Sequence, residues 1–395
     1  MNKLNIAVLF GGRSTEHEIS IISGIQVLNA LNKEKYNVLP IYITKKGEWI
    51  VGDNSFFDPK TFRDIEKIES MKKSSLMPDP TSPYTIEKPG AFTVFKSMIK
   101  DPIDILFPVF HGRHGEDGSV QGLFELMNIP YVGCDVRSSA ISMDKVLSKT
   151  IARSVDVPVM KDCWVDKYEW EDDTKSVIKK IKTKLNFPVF VKPVNLGSSI
   201  GVTHVTNEKE LINALNVCFY YDSKAIIEES LENAREINIS VIGVPGNYEC
   251  SVCEEPIKSS SVLSFEDKYI GESGKSKGMA SLKRIVPAKV KKDVIERVEK
   301  YSKDFFREIG GSGICRIDYL MSNDEKKVYF NEINPMPGSL SFYLWKESGV
   351  SFTKLLDKLI DYAIVKHKAK QKLTTTFSNN ALSGFASGGS KGAKA

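Results

Sequence analysis

Residues 315–334 read CRIDYLMSNDEKKVYFNEIN. Two apolar-rich runs, 313–321 and 327–333, flank the polar stretch SNDEK, and the pattern predicts two strands. Side chains two apart on a strand share a face. Glu332 and Asn334 therefore point the same way, as do Arg316 and Asp318. If the strands pair as a hairpin, two carboxylates and an amide converge beside a guanidinium, flanked by apolar Ile317, Phe330 and Ile333. Such oxygen donors suit Mg²⁺, which is commonly held by few protein oxygens while nucleotide phosphates complete its octahedron. A guanidinium alongside can neutralise charge developing on a transferred phosphoryl group. The plainer account is a solvated strand face with paired charges, and the apolar flanks argue instead for a lined cleft.

Lys192 closes the run PVFVK and is followed by NLGSSIG (195–201), whose glycines let backbone N–H groups approach an anion. The spacing is not G-x-x-x-x-G-K-[ST], so this is a phosphate-covering loop of another kind. Taken alone, a Gly/Ser turn between two strands is the plainer account, and Lys192 beside it favours the phosphate reading. Lys145, on a helix carrying Met143-Asp144-Lys145, is a second cation for phosphate. Glu228 ends one strand and Glu236 opens the next. Glu16 and His111 lie just past the C-terminal ends of two strands, where open α/β sheets bind ligands.

The first 136 residues alternate strands (4–10, 36–43, 103–110) with helices (18–31, 120–127). This predicts an open, mostly parallel sheet with helices on both faces. Residues 53–90, polar and proline-containing, read as an insertion or long loop. Beyond 137 the pattern becomes α+β, with strands near 158–165, 188–192, 224–228, 237–243 and 248–255 and helices over 173–184 and 207–217. A helix over 289–309 is marked by Val290, Val294, Val298, Tyr301 and Phe305, and a final one spans 352–367. The Ser/Gly/Lys-rich stretch 257–284 is too long for an idle loop. The expected units are 1–136, 137–230 and 231–372, with a flexible tail over 373–395.

Net charge is +5, from 55 basic and 50 acidic residues, and lysines from Lys366 onward nearly account for it. A nucleic-acid binder would carry a stronger, clustered surplus. No stretch approaches the length of a membrane span. The six cysteines are dispersed, which fits a reducing cytosol, and Cys250-x-x-Cys253 stands alone without a second pair.

Jointly these residues resemble the D-alanine–D-alanine ligase family of ATP-grasp carboxylate–amine ligases. The similarity runs over about 3–367. It is carried by GGRSTEHEIS (11–20), HGRHGEDGSVQGLFELMNIPYVG (111–133), MDK (143–145), FVKPVNLGSSIGV (190–202), CRIDYL (315–320) and NEINPMPG (331–338). The resemblance implies an ATP-grasp fold, with ATP between two antiparallel-sheet lobes behind an N-terminal preATP-grasp domain. It implies a cytoplasmic homodimer making peptidoglycan precursor from D-alanine and ATP with two Mg²⁺ or Mn²⁺.

The resemblance also implies roles. Lys145, Lys192, Ser199 and Lys268 would surround the phosphates. Glu228 and Leu231 would lie at the adenine and Glu236 at the ribose. Asp318, Glu332 and Asn334 would hold the metals. Glu16 would receive the first D-alanine's ammonium, with His111 near its carboxylate, and Ser198 would link Glu16 to Tyr269. Arg316 and the Gly338 N–H would stabilise the oxyanion. Gly338, Ser339, Tyr343 and Leu344 would line the second substrate's place. The lid residues SFEDKY (264–269) resemble those of ligases taking D-alanine or D-serine as acceptor. The segment SLSFYLW (339–345) departs from the family pattern: Tyr343 stands where a serine holds the acceptor carboxylate, and Ser339 or Ser341 could supply the hydroxyl. A related ligase with another acceptor, such as D-serine, is therefore the alternative.

Overall fold

The computed structural model describes residues 3–76, 78–80, 84–87, 99–257 and 283–376. The expected lid residues Lys268 and Tyr269 and the tail beyond 376 lie outside the described residues.

The N-terminal sheet is built on β1 (Leu4–Gly11), followed by α1 (His17–Ala30) and β2 (Tyr36–Ile43). Ile6 to Phe10 have no exposure at all, as a strand covered on both faces requires. Next come β3 (Trp49–Val51), α2 (Ile65–Glu69), β4 (Ser74–Leu76), β5 (Tyr84–Glu87), β6 (Ile99–Pro102), β7 (Ile105–Pro108) and α3 (Ser119–Leu126). Strand order is β6-β5-β4-β3-β2-β1-β7. Only β2, β1 and β7 run parallel, and β3 to β6 extend the sheet antiparallel from β2. The mostly parallel sheet read from the sequence is thus its three-strand heart. The segment 53–90 is not one loop: it holds 3₁₀ turns, α2 and two strands too short for a period-two pattern to mark.

Two helices, α4 (Val136–Met143) and α5 (Lys145–Ser154), lead onward. The sequence suggested one helix through Met143-Asp144-Lys145. Asp144 breaks it, because its carboxylate accepts the Val146 and Leu147 N–H groups and so caps α5. The central sheet follows, with β8 (Asp162–Asp166), α6 (Lys167–Asp172), α7 (Thr174–Lys184), β9 (Val189–Pro193), β10 (Thr203–Val205), α8 (Glu208–Tyr221) and β11 (Lys224–Glu229). Its order is β10-β9-β11-β8, all antiparallel. Buried Val177, Ile181, Leu211, Leu215 and Cys218 of α7 and α8 cover one face.

The C-terminal part holds β12 (Arg235–Val244), β13 (Asn247–Cys250), β14 (Glu255–Pro256), β15 (Arg284–Ile285), α9 (Lys292–Glu308), β16 (Gly313–Met321), β17 (Val328–Asn334), α10 (Phe342–Glu347) and α11 (Phe352–Lys370). Four strands form an antiparallel sheet, β13-β12-β16-β17. Ile317, Phe330 and Ile333 face a core with Val294, Val298, Phe305 and Phe306 of α9. The strand expected over 248–255 ends at Cys250, and all six cysteines are free. Among the described residues no helix is long and apolar enough to cross a membrane.

One core joins the first and last parts of the chain. Leu355, Leu356, Leu359 and Ile360 of α11 pack with Ile6 and Val8 on one side and Ile242 and Ile314 on the other. The C-terminal lysines serve the same joint. Lys366 Nζ donates to the Gly133 carbonyl at 2.8 Å and lies over the Tyr131 ring, and Lys370 pairs with Glu125. A close backbone approach occurs at Gly313, where φ is +79° and an added Cβ would lie 2.6 Å from Gly133 Cα. Backbone meets backbone there, so neither side can yield. We expect Gly313→Ala to destabilise the protein by about 2 kcal/mol or more, read as a lowered urea midpoint.

Candidate active site

The pairing of β16 with β17 sets the geometry. Arg316 lies opposite Asn334 and Asp318 opposite Glu332, with a register shift just beyond Asp318. The Arg316 guanidinium grips Asp318 through two bonds of 2.6 Å, and Asn334 Nδ2 donates to Asp318 at 3.2 Å. Burial pushes the Asp318 carboxyl up to about 6; Arg316 opposes this, while Glu236 and Glu332 add to it. Acidic groups crowded around one buried carboxylate leave room for positive charge. The donors are hard oxygens and fit a divalent cation. Among the described residues no three carboxylate, histidine or cysteine side chains form a metal-ligating group. A cation here would draw its remaining ligands from bound phosphate.

Two cavities meet at this hairpin. The larger, about 650 Å³, runs between the central and C-terminal sheets and is lined by Lys145, Lys192, Ser199, Glu228, Leu231 and Glu236, among others. That is ample for a drug-sized or nucleotide-sized ligand. The smaller is a chamber between the N-terminal sheet and the 335–338 loop, walled by Glu16, His111, Glu116, Ser198, Arg316 and Gly338. Lys145, Leu196 and Glu332 line both. Lys145 Nζ is 3.4 Å from Glu332 and donates to Leu196 O at 2.6 Å, so one ammonium ties α5, the glycine loop and β17 at the junction.

The glycine loop also reaches the N-terminal part, since Ser198 Oγ bonds the Glu16 carboxylate. Ser198 and Ser199 both take left-handed φ, 55° and 60°, which presents them from a tight turn. At the back of the larger cleft, Glu228 is 2% exposed and sits between two lysines. Lys192 contacts one carboxylate oxygen at 2.5 Å, and Lys149 lies 2.7 Å from the other. Burial alone would raise this carboxyl, yet the two ammoniums hold it at about 2.

In the chamber, His111 is engaged on both ring nitrogens. Nδ1 donates to the Met336 carbonyl at 2.9 Å, which leaves Nε2 to accept from Ser23 Oγ at 2.9 Å. Ser23 Oγ in turn accepts the Ser339 N–H at 3.0 Å. Glu116 receives N–H groups from Gly112 at 2.5 Å and Met336 at 3.2 Å, and burial with Glu16 nearby pushes it up to about 8. The site residues expected from the sequence are thus brought together, apart from the lid pair outside the described residues and three others. Ser339, Tyr343 and Leu344 are not on the chamber wall. The Tyr343 hydroxyl donates to Glu254 at 3.1 Å, and Leu344 is fully buried. Sequence reading passed over Glu116 and Lys149. The first sits among the glycines of HGRHGEDG; the second follows Lys145 by four, one helical turn along the same face.

Sequence comparison decides the family. The pattern described as "D-ala D-ala ligase C-terminus" matches residues 151–361, and that described as "D-ala D-ala ligase N-terminus" matches 5–134. The chain belongs to the D-alanine–D-alanine ligase family. A D-alanine–D-alanine ligase of Caldicellulosiruptor bescii is 39% identical over 94% of this chain and 98% of its own. One from Thermosipho melanesiensis is 38% identical over 93% and 96%. Among solved structures, the D-alanine-D-alanine ligase from Coxiella burnetii matches with TM-score 0.78 and 31% identity, covering 94% of this chain and 97% of that one. The VanG D-Ala:D-Ser ligase from Enterococcus faecalis matches with TM-score 0.77 and 30% identity, covering 92% and 100%. The fold of the family, ATP-grasp behind an N-terminal α/β unit, is the fold described above.

The His111 latch has a consequence for acid stability. Burial lowers this imidazole to about 4 from an ordinary 6.5, with Arg316 adding to the effect. Between those values the unfolded chain binds a proton that the folded one does not. Stability is therefore full above pH 6.5 and falls as the pH drops toward 4, by about 3 kcal/mol from this group. We expect His111→Gln to remove most of that increment, seen as a smaller loss of the urea midpoint between pH 7.5 and pH 4.5 than in wild type.

Proposed function

We propose that this protein joins two D-alanines into D-alanyl-D-alanine at the expense of ATP, for peptidoglycan precursor synthesis. The observation that carries the reading is the shared wall. A nucleotide-sized cleft and an amino-acid chamber meet at Lys145 and Glu332, so a γ-phosphate and a substrate carboxylate would be neighbours there. In this reading the segments 1–136, 137–230 and 231–372 act as donor-binding, nucleotide-covering and metal-carrying units.

The chemistry assigns each group a task. Glu228 and Leu231 take the adenine and Glu236 the ribose. Lys145, Lys192 and Ser199 take the phosphates, joined by Lys268. Glu16, oriented by Ser198 with Tyr269, takes the ammonium of the first D-alanine. Its carboxylate oxygen attacks the γ-phosphorus, ADP departs, and an acyl phosphate results. The amine of the second D-alanine, bound along Gly338 and Ser339, then attacks the carbonyl carbon. The tetrahedral oxyanion is met by Arg316 and the Gly338 N–H, inorganic phosphate leaves, and the amine sheds its proton. Two magnesium or manganese ions, held by Asp318, Glu332 and Asn334, would neutralise phosphate charge. No covalent enzyme nucleophile is needed. His111 serves by holding Met336 and, through Ser23, Ser339, beside the carboxylate rather than by binding it directly. A cytoplasmic homodimer is the setting, on family habit and on cysteines that are all unpaired.

A second reading concerns the acceptor alone. The hydroxyl of Tyr343 is committed to Glu254, and its ring lies 3.9 Å beneath the Arg284 guanidinium. Ser339 Oγ and Ser341 Oγ are buried and have no hydrogen-bond partner among the described residues. Different hydroxyls at this end favour an acceptor with its own polar side chain, such as D-serine.

With Mg²⁺, ATP and D-alanine, the purified protein is expected to release phosphate and dipeptide in equal amounts. Asp318→Asn and Glu332→Gln should each slow turnover by about a hundredfold or more. Phosphate release without dipeptide would overturn the proposal. Mass spectrometry of products from mixed D-alanine and D-serine separates the two acceptors.

A further inference from the structure

Lys149 is a buried cation for which the chemistry above has no use. Its side chain is 1% exposed and lines neither cavity, so it cannot touch a bound nucleotide. Its ammonium lies 2.7 Å from Glu228 Oε1 as an ion pair and 3.3 Å from the Phe330 carbonyl, to which it donates. Lys192 holds the other oxygen of the same carboxylate, but its side chain is 12% exposed, lines the cleft and also donates to Asn331 Oδ1 at 3.1 Å. One carboxylate thus has two counter-ions, one sealed behind it and one facing the ligand space.

The arrangement solves a problem of charge. A buried carboxylate that loses its sole partner is strongly penalised. Were Lys192 the only cation at Glu228, moving it onto a phosphate would strand that carboxylate. With Lys149 behind, Glu228 stays neutralised whichever way Lys192 turns. Of the other charges facing the pair, Asp162 is paired by Arg153 and Glu332 lies against Lys145, while Glu236 faces Lys192 from the cleft wall. We propose that Lys149 is a positioning residue that serves as the standing counter-ion of Glu228 and thereby releases Lys192 to bind nucleotide phosphate. This rests on the reading of the larger cleft as the ATP site.

The test compares ATP with adenosine, which lacks the phosphates, by calorimetry on the full chain. In Lys149→Met, Glu228 keeps Lys192 and the phosphate part of binding is lost. ATP should bind about tenfold more weakly or worse while adenosine changes less than about twofold. The double variant K149M/E228Q removes the carboxylate that captures Lys192, and should recover most of the ATP-to-adenosine ratio, because any adenine contact of Glu228 cancels in that ratio. Should the Met variant not fold, Lys149→Gln keeps a donor toward Glu228 without the charge and is expected to show the same split. ATP and adenosine weakening in parallel would mark Lys149 as structural and overturn the inference. So would an unchanged ratio in the single variant, or none recovered in the double. Wild-type protein that binds ATP no better than adenosine would defeat the nucleotide reading itself, a result distinct from a wild-type preference that the Lys149 variants retain.

Discussion

A carboxylate in a dry cleft must be matched by positive charge, and the site is arranged around that requirement. Three acids of the site each have a cation set against them: Arg316 against Asp318, Lys145 against Glu332, Lys149 and Lys192 against Glu228. These pairs do little for stability by themselves, because desolvation offsets most of their attraction. Their effect is to keep acidic oxygens and ammoniums apart from bulk water yet close to where phosphate charge would arrive. The strand register makes it possible. A one-residue slip of β17 against β16 would turn Glu332 and Asn334 into the apolar core and expose Ile333 in their place.

A second constraint is backbone strain. Ser339, Leu340 and Ser341 are three successive residues with φ of 52°, 49° and 46°, a conformation that costs non-glycine residues energy at every position. The turn persists because its surroundings fix it. Ser23 binds the Ser339 N–H, His111 and Glu116 hold the Met336 carbonyl and N–H, and Leu340 is sealed in the core with Trp345. Rigidity of this kind suits a loop whose backbone N–H at Gly338 must aim at a transient oxyanion, since a preorganised donor loses nothing to reorganisation.

The chemistry-bearing strands were legible because their signals are local. The alternation in RIDYL and FNEIN gives the shared face, and the period of α9 follows from Val294, Val298 and Phe305. The short strands β3 to β6 were not legible, since three or four residues carry too few alternations to outweigh prolines nearby. Lys149 and Glu116 were missed for another reason. Their meaning depends on partners 79 and 220 positions away, Glu228 and Met336, and no spacing along the chain announces such a meeting. The break at Asp144 was readable in principle, because Asp before Lys-Val-Leu is a cap signal that the helical pattern on either side concealed.

The departure at Tyr343 shows how far a local motif can move without disturbing the rest. A tyrosine ring is too large for a serine's place on a chamber wall, and Tyr343 forms no part of that wall. It stacks under Arg284, at the start of β15, and shares with that arginine the buried carboxylate of Glu254, which also accepts from Asn238 Nδ2 at 3.3 Å. The result joins the 339–345 segment to the foot of the β14–β15 ribbon by three side chains from separate parts of the chain. The hydroxyls of Ser339 and Ser341 are each buried and, among the described residues, have no hydrogen-bond partner. An orphaned buried hydroxyl costs on the order of 1–3 kcal/mol. Both belong to the strained turn just beyond Gly338, where their hydrogen-bonding capacity is not used by the described residues.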